Sequence, residues 1–230
     1  MAGNTSQIPA DVKERIKSSY DAIATEYNEW TVPHSAQRMQ YLATVLEKLP
    51  LSDPSLQPKI LELGCGCGLP VTKKLMSYPA ATVIANDLSS AQIAIARKNL
   101  LDGPDDENAK RLTLIEGDMF SLAFPDDSLD LVLGFYSIIH LPRVEQTALL
   151  EKIARWLKPD GYLLANFSTV AADASINKAW IEDKGWMFWS GWGVDGTLEA
   201  IKTAGLEVVS SEVAKDTVDD SSFLWVIAKR

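Results

Sequence analysis

Short apolar runs alternate with amphipathic segments over the central part of the chain. The amphipathic segments repeat their apolar residues at helical spacing, whereas the apolar runs show no alternation, which is typical of strands buried on both faces. The predicted strands are 59–63, 81–87, 111–116, 129–133 and 162–167. The helices between them are predicted at 71–77, 90–101 and 144–157. This order predicts an α/β domain in which helices cover both faces of a parallel sheet.

The two ends of the chain depart from this alternation. Helical spacing predicts two helices, 10–30 and 39–49, ahead of the first strand. Near the C-terminus, a helix at 197–204 precedes strands at 206–213 and 223–228, which a short connection lets pair in antiparallel fashion.

One segment, 168–196, shows no clean strand in the sequence. We therefore treat the chain as a single domain with four parts. These are a helical cap (1–57), a cofactor-binding core (58–167), an aromatic segment (168–196) and a terminal helix with its hairpin (197–230).

A glycine-rich turn follows the first predicted strand. Gly64, Gly66 and Gly68 alternate with other residues directly after 59–63, and glycine lets a backbone turn sharply and approach a ligand that side chains would exclude. Asp87 ends the second strand, 23 positions beyond Gly64, where an acid accepts hydrogen bonds from ribose hydroxyls. Because parallel strands end at one edge of a sheet, turn and acid together predict a nucleoside site.

The charge and hydropathy of the chain narrow the class of ligand. Its 230 residues, 47% of them hydrophobic, carry a formal net charge of −9. An acidic surface repels polyanions, so we expect a small-molecule substrate and no nucleic acid. No apolar run approaches the roughly 20 residues that span a bilayer, and residues 1–10 lack the order of a secretory signal. We expect no membrane partner and a cytoplasmic location, and leave the oligomeric state open.

The two cysteines, Cys65 and Cys67, both lie in the glycine turn. A zinc site needs about four ligands, and the sequence holds no second group of cysteine or histidine residues to complete one. We therefore interpret both thiols as small apolar filler and predict no metal site.

Ordered motifs around the turn resemble one family. The acid-x-Gly-x-Gly-x-Gly run from Glu62 to Gly68 resembles the first motif of class I S-adenosylmethionine-dependent methyltransferases, whereas a Rossmann dehydrogenase usually lacks this acid. Further matches follow in the expected order at 86–89, 117–119, 124–130 and 157–161. The resemblance implies a three-layer Rossmann-like methyltransferase fold with a helical N-terminal cap. Its seven-stranded sheet would be mostly parallel, with the last strand antiparallel.

The resemblance also implies which residues hold S-adenosylmethionine, with S-adenosylhomocysteine as the product. The glycine turn would surround the methionine part, Asp87 would hold both ribose hydroxyls, Asp118 would accept from the adenine amine, and Phe135 would offer its carbonyl oxygen to the methionine ammonium. The full implied set, with two tyrosines of the capping segment, is Tyr20, Tyr27, Glu62, Gly64, Cys65, Gly66, Gly68, Asp87, Leu88, Asp118, Met119 and Phe135.

The two histidines are the candidate catalytic residues. Methyl transfer from a sulfonium is a direct displacement, so alignment is the main task of the protein, and a general base matters only where the acceptor must lose a proton. His140 follows the fourth predicted strand, and His34 lies in the link between the N-terminal helices. A purely structural role for either histidine is left open.

Four of the seven tryptophans fall within 168–196. They are either ordinary core residues of a helix packed on the sheet, or a substrate lid whose aromatic faces shape an apolar pocket. Their density favours the lid, and with it an aromatic or hydrophobic methyl acceptor. The predicted substrate-binding residues are Tyr136, Trp186, Trp189 and Trp192.

The sequence thus predicts an enzyme that methylates a small molecule with S-adenosylmethionine, on an oxygen, nitrogen, sulfur or carbon atom. Three alternatives stay open: a methyltransferase-like cyclase, a non-catalytic cofactor-binding protein, and a NAD-dependent oxidoreductase with the same glycine turn. Methylation of nucleic-acid bases is disfavoured because residues 134–137 lack the Asn/Asp-Pro-Pro-aromatic motif of base-amine methylases.

Overall fold

The computed structural model describes residues 8–51, 53, 55–101, 107–181, 183–216 and 221–230. Its strands are β1 (Lys59–Leu63), β2 (Thr82–Asp87), β3 (Leu112–Glu116), β4 (Leu129–Gly134), β5 (Leu157–Ser168), β6 (Ala171–Trp180), β7 (Gly185–Trp192), β8 (Glu207–Lys215) and β9 (Ser222–Lys229). Its α-helices are α1 (Val12–Thr31), α2 (Ala36–Leu46), α3 (Val71–Met76), α4 (Ser90–Leu100), α5 (Arg143–Trp156) and α6 (Gly193–Thr203).

Seven of these strands form one sheet in the order β3-β2-β1-β4-β5-β9-β8. The pairs from β3 to β5 are parallel, and β9 runs antiparallel to both of its neighbours. The predicted α/β fold, mostly parallel with an antiparallel last strand, is therefore confirmed.

Two apolar clusters hold the helices against the sheet, one on each face. The first packs residues of α2, α3 and α4 against the sheet, and the second packs α5 and α6 against its other side. The central strand is enclosed by both, since Ile60, Leu61 and Leu63 are fully buried. Continuous apolar runs in the sequence therefore correspond to strands without a solvent face.

The turn after β1 is held in place by the close approach of the Gly64 backbone to Ser137. Gly64 has a φ of +72°, and a Cβ at this position would overlap the Cβ of Ser137. The Ser137 hydroxyl in turn donates to the Leu63 carbonyl at 2.7 Å. The amides of Gly64 and Cys65 both donate to the Asn86 carbonyl at 2.8 Å, which ties the turn to the end of β2.

The prediction that 168–196 lacks a clean strand is wrong. The segment forms an antiparallel pair, β6 and β7, separate from the main sheet. The neighbouring residues Met187 and Phe188 of β7 are both fully buried, so this strand is covered on both faces and shows no alternation of apolar and polar residues. Strand β6 carries mainly small and polar residues, several of them exposed, and gives little strand signal.

Several element boundaries also differ from the predictions, and those of β5 and α6 differ most. Strand β5 begins at Leu157, before the turn residues Pro159, Asp160 and Gly161, because Leu157 already pairs with Leu129 ahead of an irregularity in the register. Helix α6 begins at Gly193, four residues ahead of its predicted start. Proline, aspartate and glycine reduce strand or helix propensity, but tertiary pairing overrides that preference here.

Helix α1 lies across the sheet edge at which the parallel strands end, and polar contacts fasten it to α4. Asp21 accepts hydrogen bonds from the Ser89 hydroxyl at 2.6 Å and from the Ala91 amide at 3.0 Å. The side-chain amides of Asn28 and Gln92 pair in both directions, at 3.0 and 3.2 Å. Within the described part of the chain, none of the helices has the length and apolar character needed to span a membrane.

Substituting Gly64 tests the close approach in the turn. We expect Gly64→Ala to lower the free energy of unfolding by roughly 2–5 kcal/mol, because it adds both backbone strain and an overlap with Ser137. Gly205→Ala is the matched control, since Gly205 also has a positive φ, +92°, but open space around it. It should cost about 1–2 kcal/mol. If urea denaturation showed the same loss of unfolding free energy for both variants, the close contact with Ser137 would contribute nothing to stability.

Candidate active site

The carboxyl ends of four parallel strands bring the predicted site residues together. Gly64 and Gly66 follow β1, Asp87 ends β2, Asp118 follows β3, and Phe135 follows β4. They border a small cavity of about 80 Å³. The described residues that line it are Lys13, Ile16, Tyr20, Tyr27, Gly64, Gly66, Asp87, Leu88, Gln92, Asp118, Met119, Phe135, Tyr136, Ser137, His140 and Leu141.

Asp87 is the carboxylate at the centre of this edge. Its Oδ2 accepts from the Gly66 amide at 2.8 Å and its Oδ1 from the Ser89 amide at 2.9 Å. Burial raises the pKa of Asp87 to about 6, and the two amide donors oppose that rise. Both oxygens are thus held in place with lone pairs left to accept from a ligand.

Asp118 has protein partners on both oxygens. Oδ1 accepts from the Phe120 amide at 2.9 Å, which begins a short 3₁₀ turn, and Oδ2 pairs with Lys13 Nζ at 2.6 Å. Lys13 also pairs with Glu145 at 2.6 Å, and these carboxylates raise the lysine's pKa against the opposing effect of its burial. Lys13 was missed by the sequence analysis, because nothing in the pattern of α1 shows that its first turn meets the strand edge.

Three predicted cofactor-binding residues lie behind the cavity wall. Glu62 is buried and accepts from the Thr72 hydroxyl at 2.6 Å, and burial raises the pKa of Glu62 to about 7. The Cys65 thiol is also buried, which raises its pKa. Gly68 has a φ of +77° and faces the Leu100 side chain. Their predicted contacts with a cofactor stay predictions.

A larger cavity of about 760 Å³ adjoins the first and shares four residues with it, Tyr20, Tyr27, Tyr136 and His140. Its lining combines aromatic rings with hydroxyl and amide groups and holds few aliphatic side chains. The described residues that line it are Tyr20, Tyr27, Trp30, Thr31, His34, Arg38, Tyr136, Ile139, His140, Ser168, Thr169, Val170, Ala172, Ala174, Ser175, Asn177, Trp180, Trp189, Ser190, Asp216, Ser221, Ser222 and Phe223.

The hairpin of β6 and β7 distributes its tryptophans over two faces. Trp189 and Trp180 line the larger cavity, with ring centroids 5.7 Å apart. Trp186 and Trp192 are not among the lining residues, and each ring lies near an arginine, at 5.3 Å from Arg15 and 4.8 Å from Arg143 respectively.

The two-residue period of a strand explains why only part of the tryptophan cluster reaches the cavity. Trp189 therefore lies where the sequence analysis expected a substrate-binding residue, as does Tyr136. Trp186 and Trp192 lie elsewhere. Trp180 and Trp30 line the cavity without having been singled out as substrate-binding residues.

His140 is fully engaged with its neighbours. Its Nδ1 lies 2.8 Å from the Phe188 carbonyl oxygen, and its Nε2 lies 2.9 Å from the Tyr20 hydroxyl. Burial lowers the pKa of His140 to about 4, so the imidazole is neutral near pH 7. The sequence placed His140 near the site, but it gave no sign of the Tyr20 partner, which is 120 residues away along the chain.

His34 and Arg38 both line the larger cavity. His34 donates from Nδ1 to the Trp30 carbonyl at 2.7 Å. The Arg38 guanidinium donates to the Thr31 carbonyl at 2.8 Å and to the Ser35 hydroxyl at 2.9 Å. Its positive charge also lowers the pKa of Glu62, although burial of that carboxyl has the larger, opposite effect. Arg38 therefore lines the larger cavity beside the Tyr136 ring, which its position in a helical pattern did not reveal.

Comparison with known proteins agrees with this arrangement. A family model described as a methyltransferase domain matches residues 60–161. The malonyl-[acyl-carrier protein] O-methyltransferase of Halalkalibacterium halodurans is 30% identical over 62% of this chain and 50% of its own length. The chain spans about half the length of the curated relatives it matches.

Solved structures share the fold over nearly the whole chain. The complex of DhpI with SAM and HEP has a TM-score of 0.69 at 20% identity and covers 97% of this chain and 100% of its own. The [4+2]-cyclase SpnF has a TM-score of 0.65 at 16% identity and covers 95% of this chain and 96% of its own. Residues 60–161 thus match a methyltransferase domain, and the chain shares the fold of solved S-adenosylmethionine-dependent methyltransferases.

Proposed function

We propose that this protein transfers the methyl group of S-adenosylmethionine to a small acceptor with an aromatic or otherwise apolar part. The observation that carries the proposal is the pair of adjoining cavities, one bordered by the glycine turn and Asp87, the other walled by aromatic rings. The four side chains common to both cavities mark the place at which a methyl donor and its acceptor would meet.

The residues of the smaller cavity fit an adenosine. Asp87 has lone pairs for two ribose hydroxyls, and Leu88 and Met119 offer apolar surface to adenine. Gly66, where a Cβ would meet Gln92 Oε1 only at 4.0 Å among the described residues, leaves room for a chain bearing sulfur. Asp118 keeps acceptor capacity beside its two protein partners. When bound, S-adenosylmethionine supplies a methyl group on a positively charged sulfur.

The methionine end of the cofactor would extend toward Arg38. The carbon of this guanidinium lies 5.6 Å from the centroid of the Tyr136 ring. Burial raises the pKa values of Glu62 and Tyr27, and the charge of Arg38 opposes that rise. None of the described carboxylates pairs with Arg38 within salt-bridge distance. Because a guanidinium binds a carboxylate in planar, bidentate geometry, we propose that Arg38 holds the methionine carboxylate.

Helix α1 would have to shift as the cofactor binds. The volume of the smaller cavity, about 80 Å³, is below the roughly 300 Å³ of a usual small-molecule site. Three residues of α1 close this cavity: Lys13, Ile16 and Tyr20. The ion pairs of Lys13 and the contacts of Asp21 hold α1 in this closed position. Closure of α1 over a bound cofactor would then exclude water from the site of transfer.

The lining of the larger cavity supports an aromatic acceptor. Trp30, Tyr27 and Tyr20 each lie between 5.8 and 6.1 Å from Trp180, centroid to centroid, and present ring faces and edges rather than aliphatic groups. Aromatic pairs of this kind stabilise by about 0.5–1.5 kcal/mol beyond the apolar area they bury. Alignment of such an acceptor with the methyl group can contribute on the order of 7–11 kcal/mol to the lowering of the barrier.

The proposed role of Asp87 makes cofactor affinity depend on pH. Because Asp87 must be ionised to accept from both ribose hydroxyls, the affinity for S-adenosylhomocysteine should be full above about pH 7 and fall below the Asp87 pKa of about 6. The fall should approach about tenfold per pH unit. Isothermal titration calorimetry measures it, and Asp87→Asn should flatten this part of the profile. An unchanged profile in that variant would refute the ribose assignment.

The second prediction separates the two ends of the cofactor. Arg38→Met should weaken S-adenosylhomocysteine binding by about tenfold or more, but leave 5′-methylthioadenosine, which lacks the carboxylate, nearly unaffected. Asp87→Asn should weaken both ligands, since both contain the ribose. If Arg38→Met weakened both ligands equally, the arginine would be supporting the fold of the site rather than binding the carboxylate.

The third prediction tests the acceptor class through release of S-adenosylhomocysteine. Among primary alcohols with the same carbon skeleton, 2-naphthylmethanol should be methylated faster than its decahydro analogue. Trp189→Leu should lower kcat/KM by about tenfold, whereas Trp186→Leu, on the other face of the same strand, should change it little. Preference for the saturated compound would contradict an aromatic acceptor. Cofactor binding without release from any acceptor would favour the cyclase or the non-catalytic alternative.

A further inference from the structure

We propose that Tyr20 and His140 form a proton relay that takes a proton from the methyl acceptor, so that the acceptor group is a neutral hydroxyl or amine. This inference rests on the proposed methyl transfer and deepens it. It excludes acceptors that attack without losing a proton in the same step, such as a carboxylate or a preformed thiolate.

The direction of the hydrogen bonds follows from the groups involved. The Phe188 carbonyl can only accept, so the Nδ1 that lies 2.8 Å from it carries the imidazole proton. In the neutral ring Nε2 is then bare, and it accepts from the Tyr20 hydroxyl at 2.9 Å. The chain of donors therefore runs from Tyr20 to His140, and Phe188 fixes the tautomer.

Position supports a role at the reacting atoms. Tyr20 and His140 each line both cavities, and Tyr27 packs edge-on against Tyr20 with ring centroids 5.3 Å apart. The Tyr20 oxygen donates its proton to His140 and still has a lone pair that can accept a hydrogen bond. An acceptor hydroxyl in the larger cavity would donate to this lone pair.

Neither residue suffices as a base alone. Burial raises the pKa of the Tyr20 phenol well above its usual value, so Tyr20 does not lose its proton without gaining another. His140 is neutral with a bare Nε2, but this nitrogen already accepts the hydrogen bond of the Tyr20 hydroxyl. A relay resolves both points, because Tyr20 receives one proton as it gives up its own.

The step conserves atoms and charge. As the acceptor atom forms its bond to the methyl carbon, the carbon–sulfur bond breaks and its electron pair stays on sulfur. The acceptor's proton passes to the Tyr20 oxygen, and the Tyr20 proton passes to His140 Nε2. One positive charge leaves sulfur and one arrives on the imidazolium, so the net charge of the enclosed site is unchanged.

The first test needs no turnover. The sequence has two histidines, so His34→Asn leaves His140 as the single histidine signal in nitrogen-15 NMR. We expect a neutral ring near pH 7, protonated at Nδ1, whose Nε2 signal shifts when Tyr20→Phe removes the hydrogen bond. A proton on Nε2 would overturn the relay, because Tyr20 could not then donate to it.

The second test uses ring-substituted 2-naphthols of decreasing pKa as acceptors. Tyr20→Phe and His140→Gln should each lower kcat for the least acidic member by about 100-fold or more, and the loss should shrink for members that are already ionised in solution. Tyr41→Phe is the control, since its hydroxyl bonds Glu212 away from both cavities, and it should match the parent protein.

A loss of constant size across the series would show that Tyr20 and His140 only position the acceptor, and would overturn the relay. So would methylation of carboxylates alone, with no methylation of any hydroxyl or amine compound. In each of these outcomes, calorimetry with S-adenosylhomocysteine still reports separately whether the cofactor site is correct. If S-adenosylhomocysteine did not bind to the parent protein, the proposed function itself would be refuted.

Discussion

The approach of the β1–α3 turn to its neighbours is the constraint on which the site depends. Gly64 has no room for a side chain against Ser137, and the Gly66 amide is held by Asp87. These contacts place the end of β1, the end of β2 and the segment after β4 around one small cavity. The same backbone geometry leaves the space beside the turn free of side chains, which a bound nucleoside requires.

A second layer of the molecule is built on this edge by α1 and the β6–β7 hairpin. The Ser19 hydroxyl of α1 donates to the Trp186 carbonyl at 2.7 Å and accepts from the Trp186 amide at 2.9 Å. Helix and hairpin thus share a polar contact beneath their apolar packing. Tyr20, the next residue along α1, faces both cavities and His140. The covering layer therefore completes the proposed acceptor site rather than only shielding the cofactor site.

The sheet and its glycine turn were predictable because their signals are local: continuous apolar runs, glycines at fixed offsets and an acid at the end of a strand. The acceptor side was less predictable. Strand β7 is buried on both faces, so its sequence does not alternate between apolar and polar residues. The cluster of tryptophans therefore gave no indication that Trp189 lines the larger cavity and Trp186 does not. Lys13 and Arg38 come from helices whose contacts are set only by tertiary packing.

A crystal structure of the protein with S-adenosylhomocysteine bound is the most direct test. Both ribose hydroxyls should lie on the Asp87 carboxylate, and the methionine carboxylate should lie at Arg38. The sulfur should face the junction of the two cavities, near the Tyr20 hydroxyl. A bound cofactor whose ribose lies away from Asp87, or whose sulfur is closed off from the aromatic cavity, would contradict the proposed site.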